Sequence, residues 1–323
     1  MADLTQADRE EELERIRKLE ASPDFQAKLD QLREKMKNNL QWKMGLTICI
    51  VAAFFLWIMF RYKGLILAAI IAFIVIYPKY KRRRELFGGE KENNDRLYVE
   101  GLLDPIVKEI FPEGEIRVSS DFALDAIKSV IPRSKTYQSY RQISFHNESD
   151  LAVTNVYAYH TEERTSNNGQ NSTTVTVEDF RGQVYRMRFP GAFTGHIRVV
   201  PTRRTAILKH EVQDYPGTLR QEMKIDTEDI QHNENYNIYC TDELVARNFL
   251  NPTVLDWFDQ NISQSQTAIY IEDDMLYISR YTGQDLFPIP RTPAAIDKLS
   301  LMEEYRKLRE EIDFIQGFTA IFR

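Results

Sequence analysis

The chain is poor in cysteine, glycine and proline, and neither sign of charge is in large excess. Its 323 residues include only two cysteines, Cys49 and Cys240, so a disulfide scaffold and a cysteine-rich zinc site are both excluded. Thirteen glycines, twelve prolines and a hydrophobic share of 43% exclude a collagen-like or disordered chain. The formal net charge of −6, from 48 acidic and 42 basic residues, is too balanced to indicate a nucleic-acid partner, and we expect none.

The common motifs of enzymes are also missing. The sequence contains no G-x-S-x-G, no G-x-x-x-x-G-K-[ST], no G-x-G-x-x-G and no H-E-x-x-H. We therefore predict no catalytic residue, no metal and no cofactor. Among the five histidines, His160 is the one with carboxylates close in sequence, at Glu162 and Glu163. A solvated cluster is the simpler interpretation, and the alternative is a membrane-tethered metal-dependent hydrolase that uses His160, Glu162 or Asp179.

Two long apolar runs without charge lie close together in the first quarter of the chain. Residues 44–60 read MGLTICIVAAFFLWIMF and residues 64–77 read GLILAAIIAFIVIY. A single helix through both would be about 50 Å long and would bury Arg61 and Lys63 within a hydrocarbon core about 30 Å thick. The pattern predicts a transmembrane hairpin over residues 44–78, with a buried hairpin in a soluble protein as the alternative.

Basic residues flank this hairpin on its outer sides. Arg33, Lys35, Lys37 and Lys43 precede the first span, and Lys79, Lys81, Arg82, Arg83 and Arg84 follow the second. Because basic residues near span ends stay on the cytoplasmic side, we predict a multi-pass protein of the cell membrane with both termini in the cytoplasm. The five bases after the second span are interpreted as an anchor for the headgroups of the lipid bilayer.

The remaining sequence divides into three regions. Residues 1–43 predict a cytoplasmic helical arm, in which Ser22 and Pro23 begin a helix with an apolar stripe. This stripe either forms a coiled coil with a partner or packs on the protein itself. Residues 79–95 predict a basic juxtamembrane linker. Residues 96–323 predict a cytoplasmic domain that ends in an amphipathic helix after Pro293.

Within the cytoplasmic domain, two helices precede a series of alternating segments. The helices are expected at Leu97–Phe111 and Asp121–Ile131. Period-two alternation predicts a mixed, mainly antiparallel sheet, so the fold class is α+β. The expected strands are Leu151–Tyr159, Thr173–Phe180, Gln183–Phe189, His196–Val200, Thr205–His210, Tyr236–Cys240, Thr267–Ile271 and Met275–Arg280.

Three motifs in this domain carry a family resemblance. They are VEDFRGQVYRMRF at 177–189 with the nearby HIRVVP, YNIYCTDELVARNFLNP at 236–252, and AIYIEDDMLYIS at 268–279 with LFPI after it. With the two adjacent spans, they resemble an uncharacterised family of bacterial membrane proteins that is known only as a domain of unknown function. The chain has the more polar EDIQHNENY where that family usually carries an acid and two aromatics. The resemblance implies a fold and a membrane location but no catalytic residues.

The second motif also follows the rules of helix capping. Thr241 is expected to cap a helix, with Asp242 and Glu243 in its positive first turn. Glu243 and Arg247 stand four residues apart, as a surface ion pair does. A structural role therefore explains these side chains without an activity.

A stretch without acids stands out within this acidic chain. From Phe180 to His210 there are seven basic residues and no acidic one. Alternation along β-structure places Arg186 and Arg188 on one face, so we expect these bases to point together into solvent. Three interpretations of this basic stretch stay open: a solvated face of the sheet, a docking surface for an acidic protein segment, and a surface that contacts anionic lipid. The candidate residues for this anionic-surface binding are Arg181, Arg186, Arg188, Arg198, Arg203 and Arg204.

Together these features predict a membrane-anchored cytoplasmic binding or scaffold protein rather than an enzyme. Its expected partners are the lipid bilayer and either another protein, including a second copy of itself, or an anionic component of the membrane. The sequence does not identify the ligand.

Overall fold

The structure is a computed structural model, and it describes most of the chain. The described residues are 6–60, 73–74, 76–81, 93–147, 149–165, 172–189, 194–202, 215–219, 221–227, 233, 235–262 and 266–320. They divide into two compact units. The helical unit takes the described parts of Thr5–Glu109 and Ile289–Arg306, and the sheet unit takes those of Ile110–Pro288 and Lys307–Arg323. The domain boundaries predicted from the sequence stay a prediction.

The helical unit is built around one long helix. Its elements are α1 (Gln6–Ala21), α2 (Pro23–Phe60), α3 (Asn94–Tyr98), a π-helical turn (Val99–Leu103), α4 (Asp104–Ile110) and α8 (Pro293–Asp297). Ser22 Oγ accepts a hydrogen bond from the Phe25 amide, and Pro23 occupies the first position of α2, as predicted. The arm and the first apolar run form one continuous helix, with no break at residue 44.

The apolar stripe of the arm is buried within the helical unit. Phe25, Leu29, Leu32 and Met36 are all nearly inaccessible to solvent. α2 contacts α1, α3, the π-helical turn and α8. The stripe therefore packs on the protein itself, which is one of the two alternatives predicted; the other was a coiled coil with a partner.

A glycine permits the close approach of the π-helical turn to α2. A Cβ atom built on Gly101 would lie only 3.0 Å from Leu32 Cδ1. Since real side chains rarely approach so closely, a larger residue at position 101 would require the Leu32 side chain or the turn to shift slightly.

The sheet unit contains a nine-stranded sheet whose neighbouring strands are all antiparallel. Its order is β1-β2-β3-β4-β9-β8-β5-β7-β6. The strands are β1 (Glu115–Ser119), β2 (Thr136–Ser144), β3 (Ala152–Thr165), β4 (Ser172–Arg188), β5 (His196–Pro201), β6 (Met223–Ile225), β7 (Tyr236–Cys240), β8 (Thr267–Glu272) and β9 (Met275–Tyr281). The α+β class with antiparallel pairing is confirmed.

Helices bury both faces of this sheet. On one face, α5 (Leu124–Val130) brings Ile127 and Val130 into a cluster with Val184 of β4. The neighbouring Tyr185 points to the opposite face, because successive side chains of a strand alternate. There its ring lies 5.5 Å from that of Phe314 in α9 (Leu301–Ala320), and Phe314 also contacts Trp257 in α7 (Pro252–Ile262).

Several predicted boundaries change in the structure. The two strands expected at 173–180 and 183–189 are one strand, β4, whose central Gly182 pairs with Tyr281 of β9. β1, β2 and β6 were not predicted, and the strand expected at Thr205–His210 lies outside the described residues. Thr241 does not cap the next helix, α6 (Glu243–Phe249). Asp242 is the cap, since its side chain accepts from the Leu244 and Val245 amides.

The described residues contain one helix that is long and apolar enough to cross a membrane, with its apolar segment in Pro23–Ile58. Most residues of the second predicted span, 64–77, are not among the described residues. The chain is helical over residues 76–81, which include the end of that span. The first half of the predicted hairpin is therefore supported by a helix of suitable length.

Candidate functional site

The first base of the acid-free stretch, Arg181, is held by an acid that is distant in sequence. Its Nε donates to Asp285 Oδ1 at 3.0 Å, and its guanidinium lies over the ring of Tyr157. The side chain keeps about a third of its surface exposed, at 33%. Arg181 therefore pairs mainly with Asp285 of the same protein, which makes it a weak candidate for binding an external anion.

Arg186 and Arg188 do share a face of β4, but they differ in what they touch. Arg186 Nη1 lies 3.2 Å from Asp121 Oδ1, and its guanidinium stacks on the ring of Phe122. Arg188, at the end of the strand, is exposed. The expectation that both bases point freely into solvent is therefore right for Arg188 and wrong for Arg186.

Arg198 is the clearest correction to the predicted basic surface. It lies on β5 with 0% of its surface exposed, and its Nη2 is 2.8 Å from Oε2 of the equally buried Glu222. The same guanidinium donates to the carbonyl oxygens of Pro216 and Gly217 at 2.8 Å. Arg198 cannot reach a lipid headgroup, because its side chain has no exposed surface and each of its three nitrogens donates to an acceptor inside the protein.

Glu222 collects further donors around this buried pair. His196 Nε2 lies 3.0 Å from its Oε1, and the Leu219 amide donates to its Oε2 at 2.7 Å. Burial by itself raises the pKa of Glu222, but the hydrogen bonds from Arg198 and Leu219 outweigh this and lower it. The carboxylate therefore stays charged and holds the Leu219 amide beside Arg198 of β5. The remaining candidates, Arg203 and Arg204, lie outside the described residues.

A buried polar cluster around Asp285 was not predicted from the sequence. Its carboxylate accepts from Tyr140 Oη at 2.9 Å, from Arg141 Nη2 at 2.6 Å and from Arg181. Burial by itself raises the pKa of Asp285, but the hydrogen bonds from Arg181 and Tyr140 and the charge of Arg141 lower it overall. Burial, together with Asp285, raises the pKa of Tyr140 to about 12, so the phenol remains a donor.

Two non-glycine residues in this cluster adopt left-handed backbone conformations. Arg141 has φ 52° and Phe287 has φ 63°, and Arg141 Nη1 donates to the carbonyl oxygen of Phe287. The adjacent Leu286 amide donates to Asn155 Oδ1 at 2.6 Å. Strained positions persist where surrounding contacts hold them, so the LFPI segment is fixed to β2 and β3 by polar side chains. Nothing in the local sequence of residue 141 signals that role.

His160 meets Glu162, one of the two acids close to it in sequence, and also Asp179 of β4. Its Nδ1 lies 2.8 Å from both oxygens of Asp179, and its Nε2 lies 3.2 Å from Glu162 Oε1. Ser134 Oγ donates to Asp179 at 2.7 Å. The hydrogen bonds to Asp179, and then to Glu162, raise the pKa of His160. This arrangement favours an imidazolium between two carboxylates.

A metal would have to compete with this ion pair. A coordinating histidine must offer the lone pair of a neutral ring nitrogen, whereas both nitrogens of His160 face carboxylates. Among the described residues, no group of three or more His, Cys, Asp or Glu side chains is arranged to hold a metal ion. Chemically, the cluster can bind and release a proton.

The apolar part of α2 presents its side chains outward. Ile48 and Ile50 are each 62% exposed, and seven other large apolar side chains between residues 44 and 58 are also exposed: Met44, Leu46, Val51, Phe54, Phe55, Trp57 and Ile58. A row of this kind on a water-soluble surface would be costly, and such rows mark contact with a membrane or a protein.

Two described residues after the second apolar run lie beside the start of the first. Lys79 Nζ is 3.5 Å from the carbonyl oxygen of Gln41, and the ring of Tyr80 lies 6.1 Å from that of Trp42. Lys81 is described and exposed, whereas Arg82, Arg83 and Arg84 lie outside the described residues. Lys79 and Tyr80, which follow the second apolar run, therefore lie next to Gln41 and Trp42, which precede the first.

One part of the sheet extends beyond its neighbouring strands. Residues 160–165 of β3 pair with residues 172–177 of β4, whereas β2 pairs with β3 only as far as Tyr159 and β9 pairs with β4 only from Gly182 onward. We call these two segments the ribbon. Its outer edges have no strand partner among the described residues. An edge of this kind can accept a further strand.

Comparison with known proteins finds a similarity to one protein family over the carboxyl-terminal part of the chain. The model of a protein family of unknown function, DUF3137, matches residues 178–321. No curated protein matches the chain significantly. The crystal structure of the mycobacterial trehalose monomycolate transport factor A, TtfA, aligns with 67% of this chain and 96% of its own at 8% identity and a TM-score of 0.33. A TM-score this low supports no statement about fold or function.

Proposed function

We propose that this protein is a membrane-anchored binding protein. Two apolar segments cross the bilayer as a hairpin, both termini lie in the cytoplasm, and the sheet unit contacts a protein partner without catalysing a reaction. The observation that carries this proposal is the row of exposed apolar side chains on α2, from Met44 to Ile58. Lipid is the environment in which such a row lowers the free energy.

The position of Lys79 beside Gln41 supports the hairpin. If the second run crosses the bilayer in the opposite direction, its end returns to the membrane face at which the first run began. Lys43, Lys79 and Lys81 are then all on that face, where the positive-inside rule places cytoplasmic bases. Trp42 and Tyr80 lie at the same level, and amphipathic rings prefer the membrane–water interface.

For the sheet unit we favour a protein partner over an anionic component of the membrane. Arg181, Arg186 and Arg198 are occupied by Asp285, Asp121 and Glu222, which reduces the charge available to lipid headgroups. The ribbon, in contrast, has strand edges with no partner strand in the described part of the chain, and such edges can pair with another chain. A second copy of this chain is one such partner. The hydrolase alternative is less favoured because both ring nitrogens of His160 face carboxylates, so the ring offers no free lone pair to a metal.

Topology is tested by fusing a reporter that is active only in the cytoplasm to two positions of the chain. A fusion after Arg323 is expected to be active, and a truncated fusion after Tyr62, in the proposed turn, is expected to be silent. An active reporter at both positions would contradict the hairpin. Intact protein that stays in the supernatant after ultracentrifugation without detergent would contradict the membrane anchor altogether.

The partner is tested by photo-crosslinking in native membranes. A photoreactive residue at Thr161 or Thr174, both exposed on the ribbon, is expected to give a discrete adduct of higher mass. The matched control is Leu244, which is exposed on α6 away from the ribbon. Equal adducts from all three positions, or none from the ribbon, would contradict a ribbon partner. Weaker pelleting of R188E with anionic vesicles, at unchanged ribbon adducts, would favour the membrane component.

A further inference from the structure

The two outer edges of the ribbon differ in charge. The β3 edge reads HTEERT over residues 160–165 and includes the charged residues Glu162, Glu163 and Arg164. The β4 edge reads STTVTV over residues 172–177 and includes no charged residue. Charged side chains on an edge strand discourage pairing with another chain. The β4 edge lacks this protection, so it is the edge that better accommodates a further strand.

The composition of the β4 edge also favours extended structure. Residues 173–177 are all threonine or valine, and β-branched residues favour strands. Uncharged segments of about six residues with this composition and no proline are the ones that form sheets between chains. Thr173, Thr174 and Thr176 are exposed, whereas Val175 and Val177 are half-buried. The composition and the exposure of this edge therefore both favour the addition of a strand from another chain.

The side chains of the β4 edge alternate between the two faces of the ribbon. Val175 and Val177 lie on one face, and Thr174 and Thr176 lie on the other, because successive side chains of a strand point in opposite directions. A strand added at this edge extends both faces. It therefore fits best if it offers apolar side chains to the valines and small polar side chains to the threonines.

An identical edge from a second copy of the chain meets both requirements. In an antiparallel pair with a twofold axis at Val175, Thr174 lies opposite Thr176 of the second copy. Thr173 in turn lies opposite Val177 of the second copy. The valines of both copies then share one face, and threonine–threonine pairs form on the other. No like charges meet within this segment, because it contains none.

The β3 edge does not fit a second copy in this way. A twofold pairing centred on residues 160–165 would set Glu162 opposite Glu163 of the second copy at two symmetric positions. Like charges directly opposite each other destabilise a sheet. Pairing a β3 edge with a β4 edge would not close on itself and would continue into a filament. Of these arrangements, the pairing of two β4 edges is the one that gives a closed dimer without like-charge contacts.

We propose that the β4 edge of the ribbon, residues 172–177, binds the same edge of a second copy, so that two ribbons form one four-stranded sheet. A two-stranded ribbon is marginally stable in water, whereas three or more strands stabilise one another. Paired strands of this length bury less surface than the about 1,200–2,000 Å² of a stable interface. The inference therefore rests on the proposed function, since a membrane anchor confines the copies to one surface and raises their effective concentration.

The test is oxidation of V175C in native membranes that contain the full-length chain. Residue 175 lies on the proposed axis, where opposite Cα atoms are about 4.5–5.5 Å apart, so the thiols of two copies can form a disulfide and we expect a covalent dimer. T161C, on the β3 edge of the ribbon, is the matched control, because three strand spacings of about 4.8 Å separate it from its counterpart. The wild type is a second control, since Cys49 and Cys240 are buried.

Two further variants in the V175C background test the register. T176K places two lysines diagonally across the axis, and we expect the disulfide-linked fraction to fall about fivefold. T174E/T176K sets each lysine opposite a glutamate of the second copy, and we expect it to restore the dimer. Thr174 and Thr176 are exposed, so neither variant disturbs the core. A dimer fraction that T176K leaves unchanged, or that T174E/T176K fails to restore, would overturn this pairing.

The remaining outcomes separate a second copy from other partners. A photoreactive residue at Thr174, in a chain without cysteine substitutions, is expected to give an adduct that contains two copies of this chain alone. An adduct with a different protein would overturn the dimer and leave the proposed function standing. Equal dimers from V175C and T161C would indicate random collision and overturn the pairing. Intact protein in the supernatant after ultracentrifugation without detergent would overturn both inferences, since the pairing is proposed for anchored copies.

Discussion

Arg198 of the sheet unit and Ile50 of the helical unit lie in environments opposite to those that a water-soluble protein would give them. The arginine is 0% exposed and the isoleucine is 62% exposed. Arg198 tolerates burial because Glu222 and two backbone carbonyl groups meet its donors. Ile50 has no comparable compensation from the described protein. An acid distant in sequence supplies the partner that the buried arginine needs, whereas the exposed isoleucine needs apolar surroundings that the described residues do not supply.

The largest effect is expected where the buried charge loses its partner. R198A removes the positive charge beside the buried carboxylate of Glu222, which then keeps only His196 and the Leu219 amide, and we expect it to reduce the free energy of unfolding by about 3–5 kcal/mol. The measurement is denaturant unfolding of the purified protein. R188A removes an exposed arginine from β4 and serves as the control, with a change within about 0.5 kcal/mol. Equal stability of both variants would show that the pair is dispensable.

The complementary change places a charge in the apolar row. I50K is expected to disfavour membrane insertion by about 3 kcal/mol, because a lysine near the centre of a span is costly in lipid. The fraction of protein in the membrane pellet measures this effect. L244K is the control, since Leu244 is 71% exposed on α6 of the sheet unit. If both substitutions are equally harmless, the apolar row faces water or a soluble partner and the comparison fails.

A smaller loss is expected at the second buried acid, Asp285. D285N keeps the shape of the side chain but removes the charge that accepts from Arg141, Arg181 and Tyr140. We expect a loss of about 2 kcal/mol in the free energy of unfolding, in the range of a charge-assisted hydrogen bond. The change is measured by denaturant unfolding beside R188A. A neutral result would mean that the strained residues Arg141 and Phe287 do not depend on this carboxylate.

The smallest effect is one of pH and concerns a partly exposed ion pair. The pKa of His160 is raised in the folded protein above its ordinary value of 6.5, first by Asp179 and then by Glu162. Its contribution to stability is therefore complete below about pH 6.5 and is lost as the pH rises through the raised pKa. H160Q should be less stable than the wild type at pH 6, and the gap should narrow by pH 9. A gap that does not change with pH would indicate a neutral histidine.

Local patterns were enough to predict many elements of the fold. The start of α2 at Pro23 follows from Ser22 and the proline, and the hairpin of β8 and β9 follows from the acidic turn at Asp273 and Asp274. β1 and β2 were missed because neither alternates cleanly. β2 also contains a bulge at Arg141, whose left-handed conformation is held by Phe287 and Asp285 rather than by its neighbours.

The candidate site was predicted less well than the fold. The ion pair of His160 with Glu162 could be foreseen because the two residues are close in sequence, whereas Asp179 joins it through the pairing of β3 with β4. The basic stretch looked like a free cationic surface because its acids lie elsewhere, at Asp121, Glu222 and Asp285. Linear charge counts do not include partners that are brought in by the fold.

The sequence by itself determined the features that depend on runs of neighbouring residues: the long apolar helix, the alternation that makes strands and the α+β class. Hydrophobic period and capping act over a few residues, so a single segment carries the information. Only the tertiary structure decided which bases are buried and which acid neutralises each of them. Those outcomes depend on distances between residues far apart in the chain, and antiparallel pairing and helix packing set these distances.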